Sequence, residues 1–416
     1  MGDVCRVVGG STPDTNVSDY WGGDIPWLTP EDLARDHSQY VSEGRRNITE
    51  QGYVSCSTQL VPAGTILFTS RAPIGYVAIA RQPVCTNQGF KSFVLPAGIS
   101  SKYLYWYLRW ATPLIRKMGS GTTFAEISGK VAKTVPLLLA PGPEQERIAS
   151  AIEEQLSRVD VSESLVRRAR HNSVLMRAAV LTDALRGDWP SKRLGDVAEV
   201  FVGTTPARSN AALWNGGVPW VSSGEVAFCR IKRTHETISP SATRTNRVHP
   251  PGTVLLAMIG EGKTRGQAAI LNIEAAHNQN SAAIHLDPAF ARPEWLFYLL
   301  MQRYAETRSV SSGNNQPALN KARVQSIEIP LPSLDQQDRI VADLDVSLSV
   351  LERFMTTIDD TLARSAQLRH AILGRAFSGL LVPQDPADEP AERLLARIAR
   401  QHHGASRATQ NGGGDD

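Results

Sequence analysis

Long apolar runs are missing from this sequence. No stretch approaches the ~20 residues needed to cross a bilayer. The opening MGDVCRVVGG lacks the basic region and apolar core of a secretory signal, so the expectation is a cytoplasmic protein. Cysteine is scarce. Cys5, Cys56, Cys85 and Cys229 include no C-x-x-C pair, which excludes a zinc or redox motif of that kind and leaves reduced, structural thiols. Net charge is also small, +3 from 44 Lys+Arg against 41 Asp+Glu, too little to argue for nucleic acid by itself. Lysine is the rare cation, 9 against 35 arginines. The planar arginine fork suits phosphates and guanine edges, but a GC-rich genome gives the same bias.

Catalytic constellations are absent as well. No G-x-G-x-x-G follows a strand, and neither H-E-x-x-H nor G-x-S-x-G occurs. The quartet with which amino-methyltransferases hold a flipped base is missing; His249-Pro250-Pro251-Gly252 is the nearest string and lacks both ends. Gly262-Lys263-Thr264 follows an apolar run, but Ala257 stands where a phosphate-binding loop needs its first glycine. That stretch is expected to be a loop between two strands. No catalytic residue, metal ligand or bound cofactor is expected of this chain.

What the sequence does have is an internal repeat. At an offset of 193, Gly10, Thr12 and Pro13 fall on Gly203, Thr205 and Pro206, and Trp21, Gly23, Pro26 and Trp27 on Trp214, Gly216, Pro219 and Trp220. Asn87-Gln88 answers Asn278-Gln279, and from Ile127 onward the offset is 192 without a gap. Each half carries a globular segment, at 1–143 and 187–335, then a long helix, at 144–186 and 336–381. The globular segments mix short strands with one clear helix, near Lys102–Lys117 and again near Pro293–Thr307. Thr29-Pro30-Glu31-Asp32 reads as a helix start, with a capping threonine, proline in the first turn and acids behind it.

Apolar residues recur by threes and fours along the long segments. Leu156, Val159, Val166 and Val180 in the first, and Leu348, Leu351, Ile358, Leu362 and Ile372 in the second, form a seam for helix pairing. Ser173/Ser365 and Arg177/Arg369 interrupt both seams at matching heights. The tail 382–416 is expected to form a short helix over Glu389–Arg400 and then a disordered end. The fold class is therefore α/β: two repeated α+β domains joined by two long helices that carry a coiled-coil seam.

The strings Gly10-Ser11-Thr12-Pro13 … Tyr20-Trp21-Gly22-Gly23-Asp24-Ile25-Pro26-Trp27 and Gly203-Thr204-Thr205-Pro206 … Trp214-Asn215-Gly216-Gly217-Val218-Pro219-Trp220 resemble the openings of target-recognition domains. Pro143-Glu144-Gln145-Glu146-Arg147-Ile148 and Leu334-Asp335-Gln336-Gln337-Asp338-Arg339-Ile340 resemble the start of the helices that follow them. The family is the DNA specificity subunit of type I restriction–modification systems, and the resemblance covers about residues 2–400. It implies a non-catalytic subunit whose two domains each read one half of a bipartite site in double-stranded DNA. The two long antiparallel coiled-coil helices that the resemblance implies would set the unread spacer and dock two methyltransferase subunits, and restriction translocase–nuclease subunits would join them. S-adenosylmethionine, ATP and magnesium would belong to those partners, with adenine the methylated base. The second half has a lead-in, Trp189–Leu194, that the first lacks, so either the start lies upstream of Met1 or the first strand is short. Two other readings stay open: the reader of a related methyltransferase–nuclease without translocation, and a coiled-coil scaffold that binds protein.

A reading domain must offer polar groups to base edges and cations or hydroxyls to phosphates. Loops beside the repeated landmarks supply the candidates. In the first half they are Ser11, Thr12, Thr29, Arg71, Asn87, Gln88 and Lys91. In the second they are Thr204, Thr205, Ser222, Ser223, Lys232, Arg233, Arg244, Arg265, Asn278 and Gln279. Positions shared by both halves suit the fold or phosphates; positions that differ suit base reading. Trp21, Trp27, Trp214 and Trp220 are expected in the core.

Overall fold

The computed structural model describes residues 1–36, 38–71, 73–119, 125–260, 262–309 and 319–411, the side chains of 308–309 and 402–411 excepted. The chain divides into two compact units, Met1–Leu165 with Thr361–Asp416, and Val166–Asp360. Each unit combines one globular segment with part of each long helix.

The first unit opens with strands β1 (Arg6–Gly9) and β2 (Trp21–Leu28), helix α1 (Pro30–Arg35), strands β3 (Tyr40–Val41) and β4 (Arg46–Ile48), and helix α2 (Glu50–Val54). Strands β5 (Ile66–Thr69), β6 (Val77–Ala80), β7 (Cys85–Thr86) and β8 (Phe90–Val94) follow, then helices α3 (Ser101–Met118), α4 (Gly129–Thr134) and α5 (Gly142–Ala184). The strands form one sheet of order β1-β8-β5-β6-β3 and a smaller one of order β4-β2-β7. The strand β5, ILFT, is buried along its whole length, as expected for a central strand covered on both faces. Helix α1 starts as its sequence requires: the Asp32 carboxylate accepts from the Thr29 amide at 2.8 Å and hydroxyl at 2.7 Å.

The second unit repeats the plan. It runs through β9 (Ser191–Arg193), α6 (Leu194–Val197), β10 (Ala198–Val202), β11 (Trp214–Val221), β12 (Cys229–Ile231) and β13 (Glu236–Ile238). It continues with β14 (Val254–Ala257), β15 (Ala268–Leu271), β16 (Ala276–His277), β17 (Ser281–Leu286), α7 (Pro293–Gln302), α8 (Tyr304–Ser309), α9 (Lys321–Gln325), β18 (Glu328–Pro330) and α10 (Leu334–Phe377). Its sheets are β10-β17-β14-β15-β12 and β13-β11-β16, the same two orders as in the first unit. The lead-in strand β9 pairs with β18, a pair with no counterpart among the described residues of the first unit. The Lys263 stretch lies between β14 and β15 as expected, with Glu261 outside the described residues.

Two expectations need correction. The helix predicted over Pro293–Thr307 breaks into α7 and α8, because Arg303 leaves helical geometry and its guanidinium donates to Glu328 O at 2.7 Å. The tail is not a short helix with a disordered end through the described residues. Helix α11 (Ala391–Asn411) continues well past Arg400; residues 412–416 lie outside the described set. Leu394 and Ile398, one turn apart, are fully buried in the first unit's core with Ile99, Tyr103 and Ile148, and Arg147 pairs with Asp388 at 2.6 Å.

The long helices pair antiparallel within each unit. In the first, Leu156 and Val159 share a core with Ile372, Leu373 and Phe377, and Arg369 donates to Glu163 at 2.8 Å and to Asp160. In the second, Leu181 and Leu185 share a core with Leu344, Leu348 and Leu351, and Arg170 pairs with Asp359 at 2.9 Å. Ile358 is buried, whereas Val166, Val180 and Leu362 are half-buried. The polar seam positions find local partners: Ser173 donates to Ala169 O and Ser365 to Thr361 O. Among the described residues no helix is long and apolar enough to cross a membrane.

Candidate nucleic-acid interface

The repeated landmarks converge at one end of the smaller sheet in each unit. The loop after β1 turns at Gly10, where a Cβ atom would stand 2.1 Å from Thr86 O; at Gly203 it would stand 2.2 Å from His277 O. Only glycine lets these backbones touch. Beyond that contact Thr12 donates to Gln88 Oε1 at 2.6 Å, and Thr205 makes the same bond to Gln279. Behind them Trp27 Nε1 donates to Ser11 O at 3.0 Å, and Trp220 Nε1 to Thr204 O at 3.2 Å.

Several predicted residues hold this frame. Thr29 and Ser222 cap the turns that follow β2 and β11, each hydroxyl donating to a carboxylate three residues on. Asn87 Oδ1 accepts from the Gly89 amide at 2.9 Å, and Asn278 Oδ1 from the Asn280 amide at 3.2 Å. Asn278 Nδ2 reaches Ser223 Oγ at 3.4 Å. Thr204 donates to Thr245 O at 2.9 Å. Ser11, Thr12, Asn87 and Gln88 thus stand together in one unit, and Thr204, Thr205, Ser223, Asn278 and Gln279 in the other. Gln88 and Gln279 are exposed and offer amide groups outward.

The remaining candidates differ between units. In the first, Arg71 bridges to Glu126 through the backbone, and Lys91 Nζ lies 3.8 Å from Glu126 Oε1 and 3.4 Å from Ser70 Oγ. Burial holds the Lys91 ammonium below the ordinary lysine range, against the pull of Glu126. In the second, Ala282 occupies the strand position of Lys91, beside Leu256 as Lys91 lies beside Phe68. Arg265 is buried. Lys232, Arg233 and Arg244 are exposed and belong to the β12–β13 turn and the segment after β13.

The four tryptophans of the repeated strings, Trp21, Trp27, Trp214 and Trp220, are expected in the core from sequence. Trp27 and Trp220 are there, but Trp21 and Trp214 are half-exposed. Each packs edge to face on its buried partner, with ring centroids 5.1 Å apart in both units. A guanidinium covers each outer ring, Arg46 over Trp21 at 3.8 Å and Arg208 over Trp214 at 3.9 Å. Neither arginine was singled out from sequence, because neither lies at a repeated position.

The model of the type I restriction modification DNA specificity domain matches residues 1–163 and 186–362, one match per repeat. The chain belongs to that family. Curated proteins similar to it include the type I restriction enzyme MjaIX specificity subunit of Methanocaldococcus jannaschii, 37% identical over 53% of this chain and 55% of the relative. The EcoR124I/EcoR124II specificity subunit of Escherichia coli is 28% identical over 37% of this chain and 39% of the relative. The EcoBI specificity subunit of Escherichia coli is 22% identical over 90% and 79%. The chain spans about half the length, or less, of the first two of these. The fold is that of the HsdS subunit from Thermoanaerobacter tengcongensis, with a TM-score of 0.55 at 21% identity over 91% of this chain and 95% of that one. A chain from a structure of type I R–M complex assembly and conformational transition gives a TM-score of 0.75 at 21% identity, over 91% and 96%. For a chain of this family, two copies of one loop frame with different polar groups around it are the site to explain.

Proposed function

We propose that this chain is the sequence-recognition subunit of a type I restriction–modification complex and that each repeat reads one half of a bipartite DNA site. One observation carries the reading. The two units share topology, the Gly10/Gly203 contact and the Thr12–Gln88 and Thr205–Gln279 bonds, yet differ in the surrounding groups, as Lys91 against Ala282 illustrates. A common frame with variable donors and acceptors is what two readers of different short sequences require.

In this reading the chain itself is not a catalyst. Two methyltransferase subunits bind along the helices, and restriction translocase–nuclease subunits join the complex. S-adenosylmethionine, ATP and magnesium are held by those partners, and the complex works on cytoplasmic DNA. Specific sites are favoured over random DNA by roughly 4–10 kcal/mol. The test is a map of methylated adenines in the source genome with this gene intact and deleted. A split motif that vanishes with the gene is the expected result. An unchanged methylation map would remove the proposal.

A further inference from the structure

The two units place a guanidinium over the same tryptophan by different routes. On the edge of the smaller sheet, Trp27 faces Arg46 across the β2–β4 pair, and Trp220 faces Glu236 across the β11–β13 pair. Arg46 and Glu236 are therefore the same position in the fold. In the first unit Arg46 lies directly over Trp21. In the second, Glu236 binds Arg208, which comes from the loop after β10 and lies over Trp214. The repeat offset puts Arg208 at the position of Thr15. A cation on the indole face has thus been kept while its chain position has moved.

The two platforms differ in charge. Both nitrogens of the Arg208 fork are bound by the Glu236 carboxylate, so that pair is close to neutral. Among the described residues no carboxylate pairs with Arg46, which is exposed. Its neighbour Arg45 pairs with Glu31 at 2.5 Å and Asp32 at 3.7 Å, and Glu43 borders a second hollow beside Arg46 without an ion pair to it. Stacking on Trp21 fixes the Arg46 plane without consuming its N–H donors. The recess that Arg46 borders is also lined by Trp21, Trp27 and Thr29 and by Arg45 with the two acids it holds, Glu31 and Asp32, and Trp27 is bonded to Ser11, next to the Thr12–Gln88 pair. A free, oriented fork beside the proposed reading loop suits an oxygen anion.

Resting on the DNA-recognition reading above, the geometry points to Arg46 as a backbone-phosphate contact of the first half-site, with Arg208 as its counterpart silenced by Glu236. The contact positions the first unit on DNA and carries no sequence information.

The test uses the full chain purified with its methyltransferase partner. The probes are fluorescein-labelled duplexes of about 40 base pairs, one carrying the mapped motif and one scrambled. Affinity is measured by anisotropy across a salt series. Replacing one phosphate contact lowers the slope of log affinity against log salt by about 0.9. Arg46→Gln should show that loss on the motif duplex while the mapped half-sites stay the same, and Arg46→Lys, which keeps the charge, should retain the native slope. Glu236→Gln, which frees Arg208, should raise the slope by a similar amount. A native slope in folded Arg46→Gln overturns the phosphate contact, and an unraised slope in Glu236→Gln overturns the silencing. A native complex that does not prefer the motif duplex would instead refute the recognition reading itself.

Discussion

His249, His277 and His285 stand where the first repeat has Val61, Thr86 and Val94. His249 Nδ1 lies 2.8 Å from His285 Nε2, and the His249 and His277 rings are 5.0 Å apart. His277 Nδ1 faces Asn278 O and Ser281 Oγ at 3.0 Å, and its Nε2 is buried with no hydrogen-bond partner among the described residues. Burial first, then the neighbouring imidazoles and Arg247, pushes His249 down to about 3; burial pushes His277 down to about 4. Burial and Arg247 lower His285 too, against the pull of Glu199. The folded protein therefore refuses protons that the unfolded chain accepts below about pH 6.5. Stability is whole above that pH and falls as pH drops from about 6.5 towards 4 and 3, by up to ~1.4 kcal/mol per pH unit for each of His249 and His277, with His285 acting in the same direction. Transplanting the first repeat's residues, as His249→Val, His277→Thr and His285→Val together, should reduce the loss of melting temperature between pH 7.5 and 5. Equal losses in both proteins, followed by thermal unfolding, would remove the cluster as the cause. Sequence gave no hint of this trio, since the three positions meet only through strand pairing. The same holds for Arg46 and Arg208: an arginine twenty-five residues after Trp21 and one six residues before Trp214 share a role only once β4 and β13 are in place. Gly10 and Gly203 were legible because a backbone touching a backbone tolerates no substitute, so the repeat preserved them in register.

Helix α11 shows where element-level reading stops. A short helix over Glu389–Arg400 was legible, but nothing local names the surface that Leu394 and Ile398 cover. That surface is the first unit's core. Truncating one such side chain should cost about 2–5 kcal/mol. Leu394→Ala is expected to lower the stability of the first unit by that order, measured by denaturant unfolding. A loss below ~0.5 kcal/mol would mean that the tail does not dock. The break at Arg303 was invisible for a related reason: the bond to Glu328 O joins residues 25 apart, while the local sequence continues a helical pattern. The long helices were legible because two copies carry the same seam. Only their ends differ slightly from the sequence reading, starting at Gly142 and Leu334.

At the scale of the whole molecule, both long helices contain the division between units, at Leu165/Val166 in α5 and Asp360/Thr361 in α10. If the helices set the spacer, adding one heptad to each at those points preserves the seam and lengthens each helix by ~10 Å. With base pairs rising ~3.4 Å, the methylated motif should gain about three spacer pairs while its half-sites stay the same. An active variant with an unaltered spacer would show that the helices are not the ruler. The central claim, that the repeats read independently, is tested most directly by exchanging residues 187–335 for the matching domain of a family member with a different site. Methylated adenines are then mapped across the genome. One half of the motif should change to the donor's while the other half stays. A motif in which both halves change together would contradict that claim.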